Sequence, residues 1–446
     1  MSDFTSPIYR AMAHLTYFAY GLDVAGRQRW LNQSLSWTRA QRDEWKLRKL
    51  GDIMQFAWDH VPFYREYWGD HGVTFERPRT LEDLGRYPVL TKAIFRANCR
   101  RVAPDNLASI RHMQKHTGGS TGKPVHYFLD VDQWVTMQAF QLWGWSQTGY
   151  KLGDPVGVIA GGSLVQEKVT LKARIRNFVE HRMFQFGVRM DAELAVKYHE
   201  RLEAFGTKVL YGYPSVIYLF ARFLRAKGLR LSKLVAVVTT AEMLQPRYRK
   251  GIEEDLGCPV FDNLGCNDGG FESYECRYHS GYHYNDLQSI LETDENTSQG
   301  EGRLLVTNLW NRSTPFIRYE NGDMVTLTDA PCACGCAFPR IATIQGRTAD
   351  ILTFSNGRSL AGPALTLIFA AFDIEGWQVV QTATDRLEVR LCSSTELKPE
   401  DINHVRKVLA QHLDHDIAVE IKRVDQLAVT VAGKLKPIWS EVPSGS

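Results

Sequence analysis

Two periodicities divide the chain. Up to about residue 60, apolar residues recur at helical intervals: Trp30, Leu31, Leu35 and Trp37, then Trp45, Leu47, Leu50, Met54, Phe56 and Ala57. Spacings of three and four place such residues on one helix face. Pro62-Phe63-Tyr64 reads as the end of this region, and short helices are expected around Pro88-Val89-Leu90. A strand at 125–129 and a helix through Trp134, Met137, Phe140, Leu142 and Trp143 follow. Short apolar runs then alternate with helical stretches, with strands at 156–160, 208–211, 234–238 and 259–263 and helices between them, one of them opened by Ser215 as N-cap. That alternation predicts a mainly parallel sheet, with ligand-bearing loops at the strand ends. From Tyr282 the pattern changes to strands alone, at 283–284, 289–292, 303–307 and 324–327, which predicts a smaller β-rich subdomain over about 271–346. The last hundred residues pattern as helix 361–372, strands 377–384 and 387–391, helix 399–413 and strand 417–421, a compact α+β unit starting near Gly346-Arg347. The expected class is therefore α/β, with a large domain over 1–346 and a small one over 347–446.

Composition narrows the function classes. Lys and Arg total 53 against 50 Asp and Glu, a net +3 that is too balanced for a nucleic-acid footprint. No apolar run reaches membrane-spanning length, and the first residues lack the basic start and apolar core of a signal peptide. A cytoplasmic protein is expected, with no nucleic-acid partner. The eight cysteines are too scattered for a disulfide scaffold. Three of them cluster in Cys332-Ala333-Cys334-Gly335-Cys336, and Cys276 through His283 adds a thiol and imidazoles. Two cysteines from one hairpin with a cysteine and a histidine from another make a tetrahedral zinc set, closed and structural because no general base accompanies it.

The densest chemistry lies in Thr117-Gly118-Gly119-Ser120-Thr121-Gly122-Lys123-Pro124. Glycines let backbone N–H groups close round an anion, the hydroxyls add donors and Lys123 adds charge. The spacing is not that of a Walker A loop, and a Gly-rich hairpin is the alternative reading. Arg318-Tyr319-Glu320-Asn321-Gly322-Asp323 reads as an Asn-Gly hairpin turn in which Asp323 could accept from vicinal hydroxyls. Gly433-Lys434 is either a solvated surface lysine or one that reaches into a cleft. Trp143, Tyr211 and Tyr213 either line an aromatic pocket or belong to the core.

Taken in order, these motifs resemble the adenylate-forming superfamily over roughly residues 90–440, in the branch of phenylacetate–CoA ligase and its capsule-locus relatives. The resemblance implies a large adenylation domain with mainly parallel sheets and a β-rich subdomain, closed by a small mobile α+β lid. It assigns nucleotide binding to Thr117, Gly118, Gly119, Ser120, Thr121, Gly122 and Lys123, to Ala241 and Glu242, and to Asn263, Leu264, Gly265 and Asn267. Asp323 falls on the ribose motif, Arg347 on the hinge and Arg358 on a second phosphate contact. Asp268 would hold Mg²⁺, and Lys434 would bridge the carboxylate and the α-phosphate. The zinc set carried over is Cys276, His283, Cys332 and Cys334, with His279 and Cys336 as competitors. The family's aromatic-Gly-x-Thr-Glu motif stands here as Leu264-Gly265-Cys266-Asn267-Asp268, and its acidic hinge residue is Ala349.

The implied activity is ATP-dependent activation of a carboxylic acid to an acyl-adenylate, then transfer to a thiol such as coenzyme A with release of AMP. Transfer to an amine or hydroxyl is the alternative, and a non-catalytic zinc-stabilised scaffold is the reading from a different class. A homodimer is compatible with either.

Overall fold

The structure is a computed structural model. It describes residues 5–116, 126–161, 164–165, 170–186, 190–266, 268–294 and 301–347, then 352–354, 359–360, 365, 369, 374, 376–393, 399–412, 417–430 and 435–442. Helices α1 (Thr5–Ala19), α2 (Val24–Ser34), α3 (Arg39–His60), α4 (Pro62–Asp70) and α5 (Lys92–Asn98) precede a two-stranded hairpin, β1 (His112–His116) and β2 (His126–Asp130). Pro62 does not end the helical region. It opens α4 at the first helical position, where its missing N–H has no intrahelical partner to lose.

The α/β stretch then runs α6 (Val131–Ser146), β3 (Val156–Ala160), α7 (Leu171–Val179), β4 (Arg182–Phe186), α8 (Ala192–Phe205), β5 (Val209–Gly212), α9 (Pro214–Ala226), β6 (Ala236–Thr240), α10 (Pro246–Leu256) and β7 (Val260–Cys266). Strands β4, β3, β5, β6 and β7 pair in parallel in that spatial order. Helix α9 is capped at Tyr213, with Pro214 next, so Ser215 is not its N-cap; its hydroxyl is turned to Glu242 instead.

After β7 come β8 (Phe271–Glu275), β9 (Tyr282–Tyr284), β10 (Ser289–Thr293), β11 (Glu301–Asn308), β12 (Tyr319–Thr328) and β13 (Arg340–Arg347). These strands do not make a sheet of their own. They extend the parallel strands into one eleven-stranded sheet, in the order β10-β11-β12-β13-β9-β8-β7-β6-β5-β3-β4. The switch from parallel to antiparallel falls at the β7–β8 turn, where Gly269 and Gly270 adopt φ of +108° and +74°. The Gly270 carbonyl there accepts from Gln133 Nε2, Gln288 Nε2 and Asn308 Nδ2 at 2.8 Å and from Ser289 Oγ at 3.0 Å, which ties the turn to α6, β10 and β11.

The remaining described strands are β14 (Leu352–Thr353) and β15 (Ser359–Leu360), then β16 (Gly376–Ala383), β17 (Arg386–Cys392), β18 (Ala418–Val424) and β19 (Ile438–Ser440), with α11 (Pro399–His412) before β18. The last four form a separate sheet in the order β18-β17-β16-β19. Of the helix expected over 361–372, only Leu365 and Phe369 are described, and both are buried with Trp377, Leu387 and Leu409. The main core lies between α6, α9 and the parallel strands, with Phe140, Ile217, Phe220 and Val238 at its centre. A second core, with Trp68, Phe95, Phe316 and Tyr319, seats the N-terminal helices.

Candidate nucleotide cleft and thiol cluster

Because β5, β6 and β7 are parallel, their carboxyl ends share one edge of the sheet, the place where open α/β sheets bind ligands. At the end of β6, Ala241 holds a left-handed φ of 69°, unusual for a residue with a Cβ. Next to it, Glu242 accepts from Ser215 Oγ at 2.6 Å and from the Leu435 amide at 2.5 Å. The second contact spans 193 residues and brings the chain segment beside Lys434 onto this edge. Thr240 Oγ1 donates to Asn263 Oδ1 at 2.9 Å, and Asn263 Nδ2 donates to the Ser273 carbonyl at 2.8 Å, so Asn263 is held by β6 and β8 together. Leu264 projects to the other face of β7 and packs with Phe271, Tyr284 and Val306.

Asp268 has a different partner from the one expected. Its carboxylate is buried and lies 2.8 Å from Lys92 Nζ, and Tyr319 OH donates to the same oxygen at 2.9 Å. Cys266 Sγ donates to the other oxygen at 3.2 Å. With both oxygens engaged and an ammonium in contact, this arrangement does not fit Mg²⁺. Lys92 is the residue that sequence reasoning missed. Its placement follows from long-range structure: Leu90 bridges to Tyr319, Thr91 caps α5, and Lys92 then stands in the first turn.

The Asn-Gly pair is not a hairpin turn. It lies inside β12 at a register shift, where Glu320 faces Leu305 and Met324 faces Arg303, and Gly322 takes φ +91°. Such a bulge re-aims side chains beside functional sites. Asn321, fully buried, donates to Asp323 Oδ2 at 2.6 Å and accepts from the Asp323 amide at 3.0 Å, which orients that carboxylate. Asp323 is the register partner of Arg347, so the ribose and hinge candidates are neighbours on β12 and β13. Arg318 turns away and donates to the Gly85 and Tyr87 carbonyls. Thr117, Gly118, Gly119, Ser120, Thr121, Gly122, Lys123, Asn267, Arg358 and Lys434 lie outside the described residues, as does Ala349.

Of the three aromatic candidates, Trp143 and Tyr213 are core residues. Trp143 stacks on Phe140 at 5.1 Å and meets His283 at 6.0 Å, and Tyr213 is fully buried. Tyr211 is half-buried, 5.1 Å from Trp145. Behind the edge, a buried network links Thr239 Oγ1 and Tyr282 OH to Asp262, and Arg249 Nη2 donates to both Glu275 oxygens at 2.8 Å. Burial, aided by nearby Glu275, pushes the Asp262 carboxyl up to about 6.

The second site is the thiol cluster. One ligand atom from each of Cys276, His283, Cys332 and Cys334 lies within 4.8 Å of the others. Cys276 Sγ and Cys332 Sγ are 3.7 Å apart, and Cys334 Sγ is 3.2 Å from His283 Nε2. Two thiolates on one tetrahedral zinc, each bonded at about 2.3 Å, would stand about 3.8 Å apart. His283 Nδ1 lies 2.8 Å from the Phe338 carbonyl, the outer contact that turns Nε2 toward a metal. The donor set therefore fits zinc. His279 is outside it, with Nδ1 3.1 Å from Glu275 Oε2, and Cys336 packs against the main core.

Comparison with known proteins places this geometry in context. No family model matches the chain. Protein CapK of Staphylococcus aureus is 25% identical over 347 residues, covering 75% of this chain and 74% of CapK. Phenylacetate-coenzyme A ligase of Thermus thermophilus is 25% identical over 412 residues, covering 87% and 88%. Among solved structures, 2-hydroxyisobutyryl-CoA ligase in the postadenylation state with R3-HIB-AMP aligns at TM-score 0.73 and 20% identity over 92% of each chain. The same ligase in the thioesterification state, with 2-HIB-AMP and CoA, aligns at TM-score 0.58 and 20% identity. In sequence the chain is thus similar to CapK and to phenylacetate-coenzyme A ligases, and its fold is that of the solved acyl-CoA ligases.

Proposed function

We propose that the protein is an AMP-forming carboxylate ligase that converts a carboxylic acid and ATP to an acyl-adenylate and pyrophosphate, then transfers the acyl group to the thiol of coenzyme A. The observation that carries this reading is the contact of the Leu435 amide with Glu242, which docks the C-terminal segment on the strand-end cleft. Relatives named as phenylacetate-coenzyme A ligases, and a structural neighbour solved with an acyl-AMP, support the reaction class.

The chemistry follows from leaving groups. A carboxylate oxygen attacks the α-phosphorus, and the bond to the pyrophosphate oxygen breaks. The thiolate sulfur then attacks the acyl carbon, and AMP departs. The chain contributes positioning and charge more than covalent chemistry. Asp323, oriented by Asn321, takes the ribose hydroxyls. The loop over 117–123 cradles the phosphates, joined by Arg358. Lys434 supplies positive charge where the carboxylate meets the α-phosphate. We assign the adenylation domain to 1–346 and the lid to 347–446, pivoting at Gly346-Arg347, where Gly346 adopts φ +111°. The four-ligand cluster holds zinc as a structural clamp between β9 and the loop carrying Cys332 and Cys334. Among the described residues no helix is long and apolar enough to cross a membrane.

Lys434→Ala tests the assignment. It is expected to lower carboxylate-dependent pyrophosphate release by about 100-fold or more, with the melting temperature unchanged. Wild-type turnover in that variant removes Lys434 from the mechanism. Product mass after supplying coenzyme A or amines in turn identifies the acceptor.

A further inference from the structure

One carboxyl group on the cleft side of the sheet is used by none of this. In the β7–β8 ladder Asn263 faces Tyr274 and Gly265 faces Glu272, and opposed residues share a face of the sheet. That face packs under α6, where a Cβ on Gly144 would sit 2.2 Å from the Tyr274 ring. Glu272 therefore lies at the carboxyl edge of the parallel strands, beside an exposed glycine that leaves the space over it open. Its Cγ is 3.7 Å from where a Gly265 Cβ would stand.

Tyr274 OH donates to Glu272 Oε2 at 2.8 Å. Among the described residues Oε1 has no hydrogen-bond partner, and no cation lies within ion-pair distance of the carboxyl. Arg182, the cation of the adjoining aromatic block, faces Glu180 at 3.6 Å and the Trp145 ring at 5.2 Å. Burial without a compensating cation pushes the Glu272 carboxyl up to about 7. A plain hydrocarbon chain bound here would leave a desolvated acceptor unpaired, which penalises binding. A ligand carrying an N–H or O–H would satisfy it.

We propose that Glu272 reads a hydrogen-bond donor on the acyl chain, so that the acid activated is an amino- or hydroxy-substituted one. The inference rests on the carboxylate-activation reading above. It adds Glu272 as the specificity-determining residue and the donor-bearing acid as the substrate class. Glycine at 265 fits the same role, because any side chain there would stand over the Glu272 carboxyl.

Calorimetry with acylsulfamoyl adenosines, stable stand-ins for the acyl-adenylate, tests it. Aryl and aliphatic sets would each carry a methyl, hydroxyl or amino group at matched positions. In the wild type a donor-bearing member should bind at least about 10-fold tighter than its methyl counterpart, a size typical of one buried hydrogen bond. Glu272→Leu should erase that preference. Glu272→Gln, nearly isosteric, keeps an acceptor oxygen and should keep the hydroxyl and arylamine preferences while weakening that for a protonated aliphatic amine. Melting curves and ATP binding confirm that each variant folds. Equal or tighter binding of the methyl member in every set overturns the inference alone, as does an unchanged ranking in Glu272→Leu. Absence of binding by every analogue overturns the carboxylate-activation reading and the inference with it.

Discussion

At the residue scale, the most informative pair is Lys92 and Asp268. Asp268 could be read from its motif position, but its partner could not, because Lys92 lies 176 residues earlier. No local spacing encodes that contact. It arises when the Leu90–Tyr319 bridge seats the start of α5 against the cleft. Removing one charge leaves the other buried, whereas removing both does not. Lys92→Met alone should cost about 2 kcal/mol in urea unfolding. Adding Asp268→Asn should recover a good part of that loss, and strictly additive losses would mean the two charges are not coupled. Asp262 gives a prediction with a definite sign. Its folded-state pKa of about 6 exceeds the ordinary 3.8, so the folded chain holds the proton that the unfolded chain has lost across that window. Stability should therefore fall as pH rises from about 4 to about 6. Asp262→Asn should flatten that part of the profile in pH-dependent denaturation, and an unaltered slope would assign it to other groups.

At the scale of elements, the alternating pattern made the parallel strands and the helices between them legible. The hairpin reading failed for a physical reason. Asn321-Gly322 carries the signal of a hairpin turn, but glycine with positive φ serves a bulge equally well, and the long flanking strand decided between them. The strand-only stretch is antiparallel as its patterning suggested, and because the edge of β7 accepts β8 its strands continue the parallel ones in one sheet. The contact of α6 with β8 depends on the absence of a side chain at Gly144. Gly144→Ala should force the Tyr274 ring aside and destabilise the fold by about 1–3 kcal/mol. Loss of Tyr274 support for Glu272 would accompany it. Wild-type stability and ligand ranking in this variant would show that α6 can yield at no cost.

At the scale of the whole molecule, the C-terminal segment reaches the strand-end edge of the large sheet through the Leu435 amide and Glu242. The four-residue cluster was readable because Cys332 and Cys334 are two residues apart, Cys276 and His283 seven, and the chemistry of such a donor set is restrictive. The aromatic pocket was not, since Trp143 and Tyr213 have the same composition signal whether they face ligand or core, and burial alone separates the two. Protein purified without chelator should carry about one equivalent of zinc, and stripping it should lower the melting temperature, because metal affinity contributes directly to folding. Less than half an equivalent by elemental analysis would count against the four-ligand site. The central claim is that this cleft activates carboxylic acids with ATP. Exchange of labelled pyrophosphate into ATP, measured across a panel of aryl and aliphatic acids, tests it most directly. The account predicts exchange that depends on the acid, is strongest for donor-bearing acids, and is lost in Lys434→Ala. Exchange that ignores the acid, or ATP binding without exchange for any acid in the panel, would contradict it.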